Sequence, residues 1–174
     1  MRSDNDEMID IFSAIRHDWL NVLQLIKGNL ALGNEERIEA VIQEAVEHSA
    51  NESKLCSLDM PNTIFLLLQQ KWSYSKQPLE IEVDGELFSL RKYDHSLASC
   101  FALFLDQYNQ LQSEVNGHLT LSFTFFDSKC LIEVSSDYDL NKDKFNTCWA
   151  TLPSEIQFKT IDREGYAVTI LINA

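Results

Sequence analysis

The 174-residue sequence predicts an α+β protein: an N-terminal helical hairpin that dimerises into a four-helix bundle, followed by an α/β sandwich domain. Three observations carry this reading. Met8, Phe12, Ile15, Trp19, Val22, Ile26 and Leu30 recur every three or four residues, which is the seam of a bundle helix. Only Gly33 and Asn34 separate that stretch from a second helical pattern, and so short a link forces the two helices antiparallel. Beyond Pro61 the chain changes to short alternating strands interleaved with helices, the pattern of helices layered on one face of a mixed sheet.

The first helix covers residues 5–32. Gly33 ends it and Asn34 caps the next helix, whose first turn places Glu35 and Glu36 at the positive end of the helix dipole. That second helix, residues 35–57, carries a narrower stripe of Ile38, Val41, Ile42, Ala45 and Val46. Two helices alone cannot bury so wide an apolar face. A second copy of the hairpin completes a two-fold bundle, so a homodimer is expected; packing of both helices on the C-terminal half is the competing remedy. The hairpin forms one domain, residues 1–58, and residues 61–174 form the other.

In the second domain, residues 62–74 read as a helix through Ile64, Phe65, Leu67, Leu68 and Trp72, and residues 79–83 alternate as a half-buried strand. Asp94 reads as the N-cap of a helix that reaches about residue 113 through Leu97, Phe101, Phe104, Leu105 and Tyr108. Residues 119–125 and 130–134 form a hairpin about Asp127–Ser128, and residues 142–151 a short helix. Residues 156–161 and 166–172 form a second hairpin about Glu164–Gly165.

Composition narrows the function. The net charge is −13, with five basic against twelve acidic residues in 1–60 and nine against fifteen beyond, so no basic patch awaits a phosphate backbone. Nucleic-acid binding is not expected. No stretch approaches the roughly 20 apolar residues of a membrane span, and the acidic N-terminus lacks a signal-peptide core. Cys56, Cys100, Cys130 and Cys148 are widely spaced and read as buried thiols of a reducing cytoplasm rather than a disulfide framework or zinc site.

Opposite the apolar stripe of the first helix, roughly 170° around it, sits His17. Asp10, Ser13, Asn21, Gln24 and Gly28 share its face, all polar or small. A solvated imidazole with a clear approach is suited to proton transfer, metal binding or nucleophilic phosphoryl uptake. Arg16 and Asp18 flank it with a cation and a carboxylate. Leu20 and Leu25 border the polar face, where they either pack on the second helix or meet a partner. His48, His95 and His118 read as structural, and Asp137 and Asp139 as a solvated loop anchored by Tyr138.

The run from Arg16 through His17, Asp18, Trp19, Leu20, Asn21, Val22, Leu23, Gln24, Leu25, Ile26, Lys27, Gly28 and Asn29 to Leu30 resembles the phosphorylated-histidine helix of the sporulation initiation phosphotransferase B family. The likeness continues through Glu52-Ser53-Lys54-Leu55 and, more weakly, at residues 119–122; the rest of the second domain matches only in pattern. That resemblance implies a dimer and a histidine-kinase-like C-terminal domain that has lost its kinase function. It implies that His17 accepts a phosphoryl group from the aspartyl phosphate of a single-domain response regulator. The group then passes to the receiver aspartate of the transcription factor that controls sporulation. Arg16 would stabilise the transferring oxygens, while Asp18 would either orient the imidazole or shape the approach. Leu20, Asn21, Gln24, Leu25 and Gly28 would form the docking surface, Gly28 admitting close backbone approach. No cofactor is expected on this chain; the Mg2+ that shields phosphoryl charge belongs to the partner's receiver domain.

The second domain lacks ATP-binding motifs. A histidine-kinase ATP site needs asparagine on the long helix, an Asp-x-Gly-x-Gly turn and a Gly-rich lid. Here the asparagine register carries Leu103 and Gln107, residues 136–142 contain no glycine, and Gly85, Gly117 and Gly165 stand isolated in turns. Two rival readings stand beside phosphotransfer. One is a noncatalytic dimeric protein that docks or sequesters a response regulator; the other is an active autokinase.

Overall fold

The computed structural model describes residues 4–72, 79–111, 118–138, 140–161 and 165–173. Helices α1 (Asp4–Ala31) and α2 (Glu35–Cys56) pack as a hairpin across Leu32, Gly33 and Asn34, one residue more than the predicted two-residue link. Gly33 takes φ 67°, the left-handed conformation that ends a helix at low cost to glycine. Asn34 Oδ1 accepts from the Arg37 N–H at 3.2 Å, as an N-cap should. Helix α3 (Pro61–Trp72) starts on its proline, whose missing N–H would be unpaired there in any case.

Strand β1 (Leu79–Gly85), helix α4 (Asp94–Gln110), strands β2 (Leu119–Phe126) and β3 (Lys129–Ser136), helix α5 (Lys142–Trp149), and strands β4 (Gln157–Thr160) and β5 (Tyr166–Asn173) follow. The five strands lie in the order β1-β2-β3-β5-β4, with β1 parallel to β2 and the remaining pairs antiparallel. Asp127 and Ser128 turn the β2–β3 hairpin at φ 45° and 59°, the two-residue geometry that matches strand twist. Inward side chains alternate along the strands, so Leu121, Phe123, Ile132, Val134, Val168 and Ile170 form one core with the helices. The expected hairpin about Glu164 lies partly outside the described residues, as do Asp139, residues 73–74 and residues 112–113.

Asp94 requires a correction. It is the first residue of α4, behind a 3-10 turn at Arg91–Tyr93, and the N-cap position falls to Tyr93, which makes no side-chain cap bond. The Asp94 carboxylate instead caps α3. It accepts from the backbone N–H groups of Asn62 (3.1 Å) and Thr63 (2.8 Å), from Asn62 Nδ2 (2.8 Å) and from Thr63 Oγ1 (2.9 Å). The start of α3 is buried against α4, and its orphan N–H groups have no other described acceptor on their own chain segment. A second correction concerns the thiols: Cys100, Cys130 and Cys148 are buried, but Cys56 is exposed.

The space between α4, α5 and β5 is filled by aromatic rings. Phe104 lies 4.9 Å from Trp149, 5.3 Å from Phe145 and 6.2 Å from Tyr166 between ring centroids. Trp149 Nε1 donates to the Tyr166 hydroxyl at 2.6 Å, and burial pushes that hydroxyl's pKa up to about 12. Tyr166→Phe should therefore strand a buried indole N–H and cost about 1–3 kcal/mol, read as a lowered Tm in thermal unfolding.

The hairpin is only partly covered by the rest of the chain. Helix α1 touches α3 and α2 touches β1, and Ala14 of α1 is buried. Along the apolar stripe Ile15, Val22 and Ile26 are half-buried, yet Phe12 is 61% exposed, Trp19 49% and Leu30 68%. Packing on the C-terminal half thus satisfies a fraction of the stripe and leaves the larger side chains bare.

Candidate functional site

His17 occupies the middle of α1, where the long hairpin holds its backbone rigid and leaves the side chain in solvent. Its Nδ1 lies 3.2 Å from Asn21 Nδ2, one turn ahead, and 3.6 Å from Asp18 Oδ1. The imidazole is 65% exposed and the Asp18 carboxylate 59%. An amide nitrogen donates and a carboxylate accepts, so the two neighbours favour opposite tautomers. Rotation of the Asn21 amide resolves the conflict, because its Oδ1 can then accept from an Nδ1–H alongside Asp18. Either way Nδ1 is occupied. Nε2 has no hydrogen-bond partner among the described residues.

The neighbouring residues divide into those the structure gathers at the ring and those it does not. Asp18 and Asn21 are there. Arg16 turns the other way, with Nη2 donating to Ser13 Oγ at 3.0 Å one turn back along the helix surface. Freeing it costs little, since a single exposed hydrogen bond contributes about 1 kcal/mol or less. Leu20 and Leu25 are half exposed, at 50% and 51%. A Cβ built at Gly28 meets nothing within 4 Å, so no contact inside this chain demands a glycine there.

Beside His17 a groove of about 530 Å³ runs between the two helices of the hairpin. Asp18, Asn21 and Leu25 line it from α1, and Val41, Ala45 and His48 from α2. Lys71 and Trp72 of α3 and Leu79 and Glu80 of β1 line it as well. These last four residues were invisible to motif reading, because they lie in the other domain and their own stretch of sequence carries no chemical signature. The α2 wall had a faint signal: Val41, Ala45 and Ser49 grow smaller or more polar at helical spacing, which is how a groove looks in sequence. Among the described residues no group of three or more His, Cys, Asp or Glu side chains is arranged to hold a metal ion.

A helical hairpin with an exposed mid-helix histidine, joined to a mixed sheet layered with helices, defines a protein of sensor-kinase-like architecture. Residues 1–58 match the family model described as the Sensor_kinase_SpoOB-type, alpha-helical domain. Among curated proteins, the sporulation initiation phosphotransferase B of Bacillus subtilis (strain 168) is 40% identical over 118 residues, which is 67% of this chain and 62% of that relative's length. Residues 1–58 are thus similar to that family's alpha-helical domain, and the chain spans about three fifths of the length of the curated relative it matches. Similar solved structures include the Acinetobacter baumannii histidine kinase AdeS, at 10% identity and TM-score 0.47 over 90% of this chain and 97% of that one. Another is the histidine kinase ThkA in complex with the response regulator TrrA, at 15% identity and TM-score 0.45 over 93% of this chain and 60% of that one.

Proposed function

We propose that this chain is a phosphorelay histidine phosphotransferase that carries a phosphoryl group on His17 between two response regulators and uses no ATP. One observation carries the reading: an exposed imidazole whose Nδ1 is engaged by Asn21 and Asp18 and whose Nε2 has no partner among the described residues. The Nε2 lone pair attacks the phosphorus of an aspartyl phosphate, forming an N–P bond while the P–O bond to the aspartyl carboxylate breaks. The ring gains positive charge, which Asp18 offsets while the proton stays on Nδ1. In the return step a second receiver's aspartate oxygen attacks, the N–P bond breaks, and the electron pair returns to the imidazole.

In this proposal the donor is a single-domain response regulator and the acceptor a sporulation-controlling transcription factor, as the family resemblance implies; the relative's name supports phosphotransfer in sporulation. Arg16, swinging from Ser13, would help to shield the phosphoryl oxygens beside the Mg2+ that the partner's receiver domain would hold. Leu20, Asn21, Gln24, Leu25 and Gly28 form the docking face. The reading places the protein in the cytoplasm with those partners. It is tested by incubating the purified protein with a radiolabelled phosphorylated receiver domain. Acid-labile, alkali-stable label on this chain is the expected result. No label, with the receiver still bound, would replace the proposal with a docking or sequestering role. Label from ATP alone would make it an autokinase.

The bare stripe supports a homodimeric four-helix bundle within this reading. Phe12→Asp combined with Leu30→Asp should weaken dimerisation at least about 100-fold, because two carboxylates per chain would enter an apolar core. Sedimentation velocity should then find the variant at the single-chain mass and the wild type at twice that mass.

A further inference from the structure

The last turns of α2 run along the outer edge of β1, the strand that ends the sheet. Asn51 lies there with its carboxamide in the plane of the ladder. Its Nδ2 donates to the Ile81 carbonyl, and its Oδ1 accepts from the Val83 N–H at 2.8 Å. That acceptor and that donor are the two groups a residue of a parallel neighbouring strand would engage if it sat opposite Glu82. The side chain is a one-residue strand. The backbone also settles the orientation of the amide, because a carbonyl only accepts and an N–H only donates.

The residues that follow tighten the same junction. Lys54 Nζ donates to the Val83 carbonyl at 3.3 Å and lies 3.9 Å from Asp84 Oδ1. Glu52 pairs with Lys71 of α3 at 2.7 Å. Leu55, Leu58 and Met60 are buried in the core of the sheet domain. Asp59 accepts from Ser89 Oγ at 2.9 Å and from Arg91 Nη1 at 2.7 Å. Glu52, Lys54 and Leu55 belong to the short run shared with the phosphotransferase family, and none of them touches His17. Their common role is the joint between the two parts of the chain.

We propose that Asn51 is a positioning residue: as a surrogate strand on β1 it fixes the sheet domain against the hairpin. Lys71, Trp72, Leu79 and Glu80 then form an immobile wall of the groove beside His17, on which the incoming receiver domain docks. The inference rests on the phosphotransfer reading for its partner but not for its geometry. It gives the sheet domain a task other than nucleotide chemistry, and it protects an open strand edge from pairing with other chains.

Two readouts on the full-length chain test it. In Asn51→Ala the Val83 amide should exchange hydrogen at least about tenfold faster, while Ile132 and Ile170 in the sheet interior keep wild-type rates. The apparent KM for a phosphorylated receiver should rise about fivefold with kcat within about twofold, since docking is loosened and the imidazole is untouched. Asn51→Asp retains the acceptor for Val83 but sets an anionic oxygen against the Ile81 carbonyl. It should fall between the two in both readouts, and it carries the test if the alanine variant does not fold. Unchanged exchange at Val83 would overturn the clamp. Faster exchange with an unchanged KM would overturn the link to docking. A wild type that takes up no phosphoryl group would instead sink the phosphotransfer reading, with the exchange measurement still deciding the clamp.

Discussion

His17→Gln should take up no measurable label from a phosphorylated receiver, a fall of at least about 10⁴-fold in transfer rate. Glutamine keeps a polar side chain of similar reach and can still meet Asn21, so the helix and its docking face survive. It lacks a nucleophilic nitrogen lone pair, because the amide's is delocalised into its carbonyl. Receiver binding, followed by calorimetry, should stay within about threefold of wild type. Asp18→Asn is the informative companion. It removes the charge 3.6 Å from Nδ1 but preserves shape, so it isolates the electrostatic support given to the ring as it becomes cationic. A loss of about tenfold in transfer with intact binding is the expected result, corresponding to a partner exposed to solvent rather than buried.

The second large effect is on stability. Asp94→Ala should cost about 3 kcal/mol, because it strands the N–H groups of Asn62 and Thr63 and the buried Thr63 hydroxyl at one stroke. Urea unfolding should report the loss as a lower midpoint at unchanged slope. The effect also has a pH signature. Burial raises the Asp94 pKa, but hydrogen bonds from Thr63 and Asn62 outweigh burial and hold the carboxyl below its ordinary value. A carboxyl lowered on folding contributes its full stability above its unfolded pKa of about 4, and that contribution is lost as pH falls through the lower folded value. The gap between wild type and Asp94→Ala should be constant at neutral pH and narrow progressively as pH falls below about 4. A gap that does not narrow on acidification would count against the ionised cap.

The sequence was most legible where one rule acted alone. The hairpin followed from apolar spacing and from Gly33–Asn34, and the Asn34 cap sits on Arg37 as expected. Strand alternation marked the strands to within a residue or two at most ends. Asp94 was misplaced because an aspartate before a helical run satisfies the cap rule equally well for its own helix and for a neighbour's. Only the approach of α3 to α4, a contact between residues 31 or more apart, decides which helix receives it. The site divides the same way. His17 and its face could be read from one helix, but the turn of Arg16 toward Ser13 is a rotamer choice that no spacing encodes. Asn51 was missed because a polar residue late in an amphipathic helix looks like solvent-facing surface until a strand edge is placed beside it.

The bare stripe of α1 has a consequence for dosage. Phe12, Trp19 and Leu30 are exposed in the single chain; in the proposed bundle a second chain buries them, so the folding free energy of the hairpin includes a concentration factor. Below the dimer's dissociation constant, the number of complete bundles rises with the square of the amount of chain made. Halving expression would then cut the working carriers to about a quarter. A phosphoryl carrier built as proposed would be a threshold element: a cell holding few copies would pass almost no signal, and a modest rise in synthesis would open the route.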